Sequence, residues 1–139
     1  MELDVSTGWV KPSYFVLAIL ILTSFAYSAT CNDTAVMGNL TMTDDYTATG
    51  SCLIVSAPDV TIDCDGYSVT GDGTGTGIYS DQNGTRVENC VINDFGNAIN
   101  LDTGADYSSI SNTSVVTDNN AGTDTDGILV NAPNITIAT

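Results

Sequence analysis

Short stretches of alternating apolar and polar residues recur along the chain at nearly even intervals. Segment 53–63 reads LIVSAPDVTID and returns at 128–138 as ILVNAPNITIA, with five of eleven positions identical. Alternation with a period of two is typical of strands that bury one face. The pattern therefore predicts repeated short β-strands, and no stretch of the chain from 29 onward shows a helical period.

Two rows of apolar residues share one repeat length. Each member of the second row follows a member of the first at a constant offset along the chain. A third short strand follows in each repeat, and Gly, Pro, Asn and Asp separate the strands. Three short strands per repeat predict a parallel solenoid whose strands stack about 4.8 Å apart. The predicted inward columns are Leu53, Ile78, Leu101 and Ile128; Ile62, Val87, Ile110 and Ile137; and Val69, Ile92 and Val115, with Val60 also inward.

Two asparagines occupy the same place in successive repeats. Segments 87–92 and 110–115 share the pattern apolar-x-Asn-x-x-apolar. Asparagine tolerates the left-handed backbone conformation that a sharp bend between strands requires. We therefore expect Asn89 and Asn112 to stack with interior side chains and to hydrogen-bond along the solenoid axis.

This pattern resembles the asparagine ladder of right-handed parallel β-helix proteins, the superfold of pectate lyases and of the NosD and CASH-type repeat proteins. The turn Asp-Cys-Asp-Gly at 63–66 resembles the first rung of exported archaeal members. The resemblance implies an all-β, right-handed parallel β-helix of about three and a half rungs, with an N-terminal cap and an open C-terminal end. Cys64 stands where the ladder would have Asn, so the ladder is expected to begin at Asn89.

The N-terminal segment 1–28 has the pattern of a signal peptide. Lys11 precedes an apolar run of about a dozen residues, and small residues follow at Ala26 and Ser28. This run is shorter than the ~20 apolar residues that a membrane span needs, which favours a cleaved signal peptide. An uncleaved signal-anchor is the alternative. The expected organisation is a signal peptide at 1–28, a cap at 29–52, and rungs at 53–77, 78–100, 101–127 and an incomplete 128–139. Because the last repeat stops mid-rung, we expect an N-terminal fragment of a longer protein.

Four cysteines in an exported chain are able to form disulfides. Three pairings are possible, and the sequence does not choose among them. A bridge between Cys31 and Cys52 would close the cap. The separation of Cys64 and Cys90 is close to one rung, so these two would stack either as a bridge or as two buried thiols.

The charge balance excludes several partners. The chain has 17 acidic and 2 basic residues, no histidine and a net charge of −15. Once the signal peptide is removed, Arg86 is the only basic residue left. Nothing then neutralises nucleic-acid phosphates or an anionic membrane surface, and no nucleophile–histidine pair exists. The acidic residues are either a solvated coat or a means of binding cations.

No catalytic constellation is visible. The lyases of the resembled superfold use a Lys or Arg beside carboxylate-bound calcium, and here Arg86 stands alone. Acidic turns offer the hard oxygen ligands that calcium prefers, but no copy completes an EF-hand or RTX pattern, which favours plain solvated turns. The weak calcium candidates are Asp118, Asp124 and Asp126. Sequons make Asn83, Asn32, Asn39 and Asn134 candidates for glycosylation, whereas Asn112 would be a poor acceptor inside a ladder.

These features predict a secreted, cell-surface structural or recognition module, such as an adhesin or a carbohydrate-contacting β-helix. The expected partners are carbohydrate or identical subunits, and calcium is the one cofactor considered. Whether the protein is an enzyme stays open. The alternative function is the N-terminal part of a polysaccharide-processing enzyme, a lyase, epimerase or hydrolase, whose active rungs lie beyond residue 139.

Overall fold

The computed structural model describes residues 28–116 and 126–139. All regular structure in these two ranges is β-strand. The strands in chain order are β1 (Ala29–Thr30), β2 (Thr34–Val36), β3 (Leu40–Thr41), β4 (Tyr46–Thr47), β5 (Leu53–Val55), β6 (Thr61–Asp63), β7 (Ser68–Thr70), β8 (Thr76–Ser80), β9 (Arg86–Glu88), β10 (Val91–Asn93), β11 (Asn97–Leu101), β12 (Ser109–Ser111), β13 (Ser114–Val116), β14 (Asp126–Val130) and β15 (Thr136–Ala138).

The strands form three parallel sheets of five strands each. Sheet A has the order β1-β4-β7-β10-β13, sheet B the order β2-β5-β8-β11-β14, and sheet C the order β3-β6-β9-β12-β15. Each strand therefore pairs with the strands three places before and after it in the chain. The result is a parallel β-solenoid of about four turns, which confirms the predicted fold class. We call one circuit through sheets B, C and A a coil.

The strand register confirms two of the three predicted columns and corrects the third. In sheet C, Ile62, Val87, Ile110 and Ile137 are successive partners, and in sheet A so are Val69, Ile92 and Val115. In sheet B, however, Ile99 rather than Leu101 pairs with Ile78 and Ile128. Leu101 faces inward two positions later, opposite Ser80 and Val130. Neighbours at i and i+2 in a strand share a face, so the apolar pattern did not distinguish them.

The predicted cap is itself part of the solenoid. Strands β2, β3 and β4 pair with β5, β6 and β7, and β1 adds one more strand beyond β4. Residues 29–52 therefore form a coil of the same plan, with shorter strands and fewer apolar residues. Leu40 and Tyr46 extend the columns of Ile62 and Val69. The sequence signal was weak here because such short strands hardly show an alternation.

The core lies between the three sheets and runs along the axis. Leu53, Ile62, Ile78, Ile92 and Ile99 are completely buried. Burial decreases towards β15, where Ile137 is 53% exposed although it continues the column of Ile62. Each inward residue is thus sheltered by the coils on both sides of it, as expected for a stack in which no coil buries enough surface alone.

Phe95 fills the space inside the corner between sheets A and B. Its ring is buried, and two glycines allow it to lie there. A Cβ on Gly71 would come within 2.7 Å of the ring carbon Cδ1, and one on Gly77 within 3.1 Å of Cδ2. A larger residue at Gly71 would therefore clash with the backbone oxygen of Asp94 as well as with the aromatic ring.

The corner between sheets B and C bends through the left-handed region in four successive coils. This conformation is unfavourable for most residues that carry a Cβ. The residues are Asp59, Gly84, Tyr107 and Asn134, with φ values of 57°, 71°, 57° and 58°. Asp, Gly and Asn adopt this conformation readily, whereas Tyr does not, so at Tyr107 the coils on either side determine the bend. None of the described segments forms a helix long and apolar enough to cross a membrane.

Candidate functional site

The candidate site is the corner between sheets C and A, which we call the ladder corner. In three successive coils this corner contains a residue in the left-handed region: Asp65 (φ 50°), Asn89 (φ 56°) and Asn112 (φ 44°). Backbone hydrogen bonds join the coils there, from Gly66 N to Asn89 O at 2.8 Å and from Asn89 N to Ser111 O at 3.2 Å. The bend is therefore fixed both by its residues and by the coils on either side.

Side chains at this corner form a continuous row of hydrogen bonds. Asn112 Nδ2 donates to Asn89 Oδ1 at 2.7 Å, and Asn89 Nδ2 donates to Asp63 Oδ1 at 2.9 Å. Asn89 is half-buried, whereas Asn112 is exposed rather than enclosed in the interior as expected. Both amides are nevertheless turned along the axis towards the preceding coil. The carboxylate of Asp63, and not Cys64, continues the row into the coil below.

This row perturbs the carboxylate at its end. Hydrogen bonds to the charged form lower a carboxyl pKa. The amide of Asn89, and then the backbone N–H of Asp65 at 2.9 Å, hold the pKa of Asp63 below its usual range. Asp63 is thus an ionised acceptor, and it gives the row a direction in which each amide donates towards the charge.

The cysteines lie close together as two pairs at disulfide distance. Cys64 and Cys90 lie under the ladder corner in adjacent coils, with Cα atoms 4.8 Å apart. Cys31 and Cys52 are also 4.8 Å apart, and they lie immediately before the turn into β2 and before β5, at the two ends of the coil of residues 29–52. All four cysteines are buried, and none of them is free. Of the three possible pairings, the structure therefore selects Cys31 with Cys52 and Cys64 with Cys90.

An open groove of about 610 Å³ runs along the outside of the ladder corner. Among the described residues that line it, the only charged side chain is Asp65. The others offer amides, hydroxyls and backbone groups, and none is basic or aromatic. The lining residues are Asp65, Gly66, Asn89, Cys90, Val91, Asn112, Thr113, Ser114 and Thr139.

The hydroxyl groups that line this groove differ in their hydrogen bonding and exposure. Thr113 Oγ1 donates to Ser111 O at 2.9 Å and accepts from Cys90 N at 3.4 Å, so this hydroxyl supports the backbone. Ser114 is exposed in the first position of β13, on the outer side of sheet A. Asp65 is exposed as well. Ser114 and Asp65 can therefore bind a ligand without breaking a hydrogen bond of the corner, and the exposed carbonyl oxygen of Asn112 can do the same.

Most of the calcium candidates lie outside the residues that the structure describes. Asp118 and Asp124 lie outside the described residues, and of Asp126 only the backbone, paired with Asn97 in sheet B, is described. Within residues 28–116 and 126–139 no cluster of three potential metal ligands occurs. The calcium site stays a prediction.

The glycosylation candidates and the single arginine of the sequence lie on the surface. Arg86 is exposed at the start of β9, with Thr61 and Ser109 beside it in sheet C. Two sequon asparagines use their carbonyl oxygens: Asn32 Oδ1 accepts from Thr49 N at 3.1 Å, and Asn39 Oδ1 from Thr61 N at 2.9 Å. The exposed sequon asparagines are Asn32, Asn39, Asn83, Asn112 and Asn134.

Asp63 is the member of this site that sequence reasoning missed. The asparagine pattern aligned Cys64, rather than Asp63, with Asn89 of the next repeat. The alternation of apolar and polar residues could have identified it, because it places Asp63 at the last position of β6, immediately before the bend. In the structure Asp63 lies opposite Glu88. No protein-family model, curated protein or solved structure matches the chain. The geometry alone defines the chain as a parallel β-solenoid with two cysteine pairs.

Proposed function

We propose that this protein is an extracellular recognition module that binds neutral carbohydrate in the groove along the ladder corner. The observation that carries the proposal is the groove itself, which is open and lined by amide, hydroxyl and carboxylate groups on a rigid wall. Sugars present many hydroxyl groups, each of which both donates and accepts, and such a lining complements them.

The location outside the cell is supported by the cysteines. Disulfides persist in oxidising compartments and are rare where thiols are kept reduced. Both pairs hold buried cysteines at disulfide distance between stacked positions of the solenoid. An N-terminal segment with the pattern of a signal peptide agrees with this location.

The charge of the site favours an uncharged ligand. Asp65 is the only charged side chain among the described groove residues, and a net charge of −15 repels polyanions. Because strand stacking and the amide row hold the groove in place, little conformational freedom is lost on binding, which favours affinity. Neutral glycans therefore fit better than uronic-acid polymers or phosphorylated ligands.

Binding of the full-length secreted protein to a glycan array tests the proposal. The groove variants are Asp65→Asn, which keeps a residue that tolerates the left-handed bend, and Ser114→Ala. The matched control is Asp59→Asn, because Asp59 is equally exposed and has a φ of 57° but lies at the corner between sheets B and C.

We expect Ser114→Ala to weaken binding of the best neutral glycan about fivefold to tenfold, since it loses one hydrogen bond to the ligand. Asp65→Asn should weaken it about threefold or more, since a neutral amide accepts a weaker hydrogen bond than a carboxylate. The Asp59→Asn control should bind like the parent. Binding to no neutral glycan, or equal losses in all three variants, would show that the groove is not the binding site.

A further inference from the structure

The outer side of sheet B carries a mostly apolar row. The side chains between the inward columns of this sheet point outward, since neighbours in a strand alternate. The row is uncharged through all five strands. Its members, paired in register, are Ala35, Ile54, Tyr79, Asn100 and Leu129. Ala35 is exposed and the other four are half-buried.

Two carboxylates border this row. Asp81 and Asp102 follow the inward residues Ser80 and Leu101, which are register partners in β8 and β11. Tyr79 connects the row to this border, because its hydroxyl donates to Asp102 Oδ2 at 3.4 Å. Burial, and then the charges of Asp81 and Asp102, raise the pKa of the Tyr79 hydroxyl. The negative potential of the border thus reaches the centre of the row.

The other faces of the solenoid are different. The outward positions of sheet A are mainly Ser, Thr, Asn and Val, and those of sheet C include Asp63, Arg86 and Glu88. Sheet B is therefore the described face on which aliphatic and aromatic side chains are adjacent to a border of carboxylates. The large apolar side chains of this row are half-buried, so each leaves part of its surface open to a partner beside the acidic border.

The charge of the chain decides which occupant fits. A second copy would bring another net charge of −15 against Asp81 and Asp102, and an anionic membrane would be repelled in the same way. A cationic partner is attracted by the whole surface and is held at the border by the two carboxylates. Its apolar side chains would cover Ile54 and Tyr79.

We propose that the outer face of sheet B docks a basic polypeptide segment that carries Lys or Arg next to aliphatic or aromatic residues. The carboxylates Asp81 and Asp102 bind its cations, and the row from Ile54 to Leu129 binds its apolar side chains. Arginine suits this face particularly well, because a guanidinium stacks on a tyrosine ring while it pairs with a carboxylate.

The test measures binding of a fluorescent peptide of alternating Leu and Arg to the full-length protein by anisotropy at low and at physiological salt. The border variant is Asp81→Asn with Asp102→Asn, and the row variant is Ile54→Thr, which keeps a β-branched residue. The matched control, Asp44→Asn with Glu88→Gln, removes the same charge from the ladder corner and from sheet C, away from sheet B.

We expect the border variant to weaken binding roughly fivefold to tenfold, as two partly exposed ion pairs would. The row variant should weaken it about threefold or more at both salt concentrations, since apolar contacts are not screened. The control should stay within about twofold of the parent, and thermal melts should confirm that every variant is folded.

Two outcomes would overturn the proposal. Equal losses in the border variant and the control would mean that the peptide is attracted by net charge alone. Unchanged binding by the row variant would mean that the apolar row is not covered. Neither outcome affects glycan binding at the ladder corner, which Ile54→Thr should leave intact.

Discussion

Replacement of Ile62 by alanine tests the central claim that inward residues are sheltered by the coils on both sides. Ile62 is 0% exposed and pairs with Leu40 below and Val87 above. The change removes three carbons, worth about 0.8 kcal/mol each, and leaves a cavity between two occupied positions. We expect a loss of about 3–4 kcal/mol in the free energy of unfolding, which lowers Tm by about 12–16 °C.

The matched control is the same substitution in the same column at Ile137. This side chain is 53% exposed, so its truncation removes about half as much buried surface and opens no closed cavity. The expected loss is about 1 kcal/mol. Urea unfolding followed by circular dichroism measures both values under identical conditions. Similar losses at the two positions, or a loss below about 1 kcal/mol at Ile62, would refute the column and its burial.

Three further predictions concern the ladder corner and the acidic turns. Asn89→Ala should destabilise the protein by about 2–3 kcal/mol, and Asn89→Gly by about 1 kcal/mol less, because glycine tolerates the φ of 56° while both variants lose the amide; equal urea midpoints would contradict the left-handed bend. The folded-state pKa of Asp63 lies below its unfolded value, so its stabilisation is present above about pH 4 and is lost as pH falls through the folded pKa. Melts from about pH 6 to about pH 2 should therefore show a smaller acid-induced drop in Tm for Asp63→Asn than for the parent, and identical profiles would rule out this linkage. Millimolar calcium should raise Tm slightly relative to EDTA, by mass action on the native state, if Asp118, Asp124 and Asp126 bind it. No shift, or a shift that survives neutralisation of these three residues, would mean that they do not bind calcium.

Much of the solenoid follows from the sequence, because apolar and polar residues alternate regularly within the strands of each repeat. The column of Ile62, Val87 and Ile110 was predicted at the correct residues, and so was the strand containing Ile92. The error at Leu101 arose in the corner between β10 and β11, which is short enough to bring Ile99 into register with Ile78. Corner length sets register, and the apolar pattern alone does not report it.

The candidate site was less predictable than the fold. The asparagine pattern identified Asn89 and Asn112, but not the carboxylate of Asp63 that accepts from Asn89. The cysteine pairing was also open, since spacing did not decide between a Cys64–Cys90 bridge and two thiols. Both questions concern distances between adjacent coils, which depend on how the corners stack.

Local alternation and composition, which each repeat contains within itself, were enough to predict the period, the strand content, the acidic surface and most inward residues. The register of β11, the extension of the solenoid through residues 29–52 and the bend at Tyr107 depend instead on contacts between coils. An exposed tyrosine with a φ of 57° has no local reason to bend, but it is stacked between Gly84 and Asn134, and their coils impose the conformation. In a solenoid each coil is hydrogen-bonded to the coils above and below it, so these coils can hold a residue in a backbone conformation that is locally unfavourable.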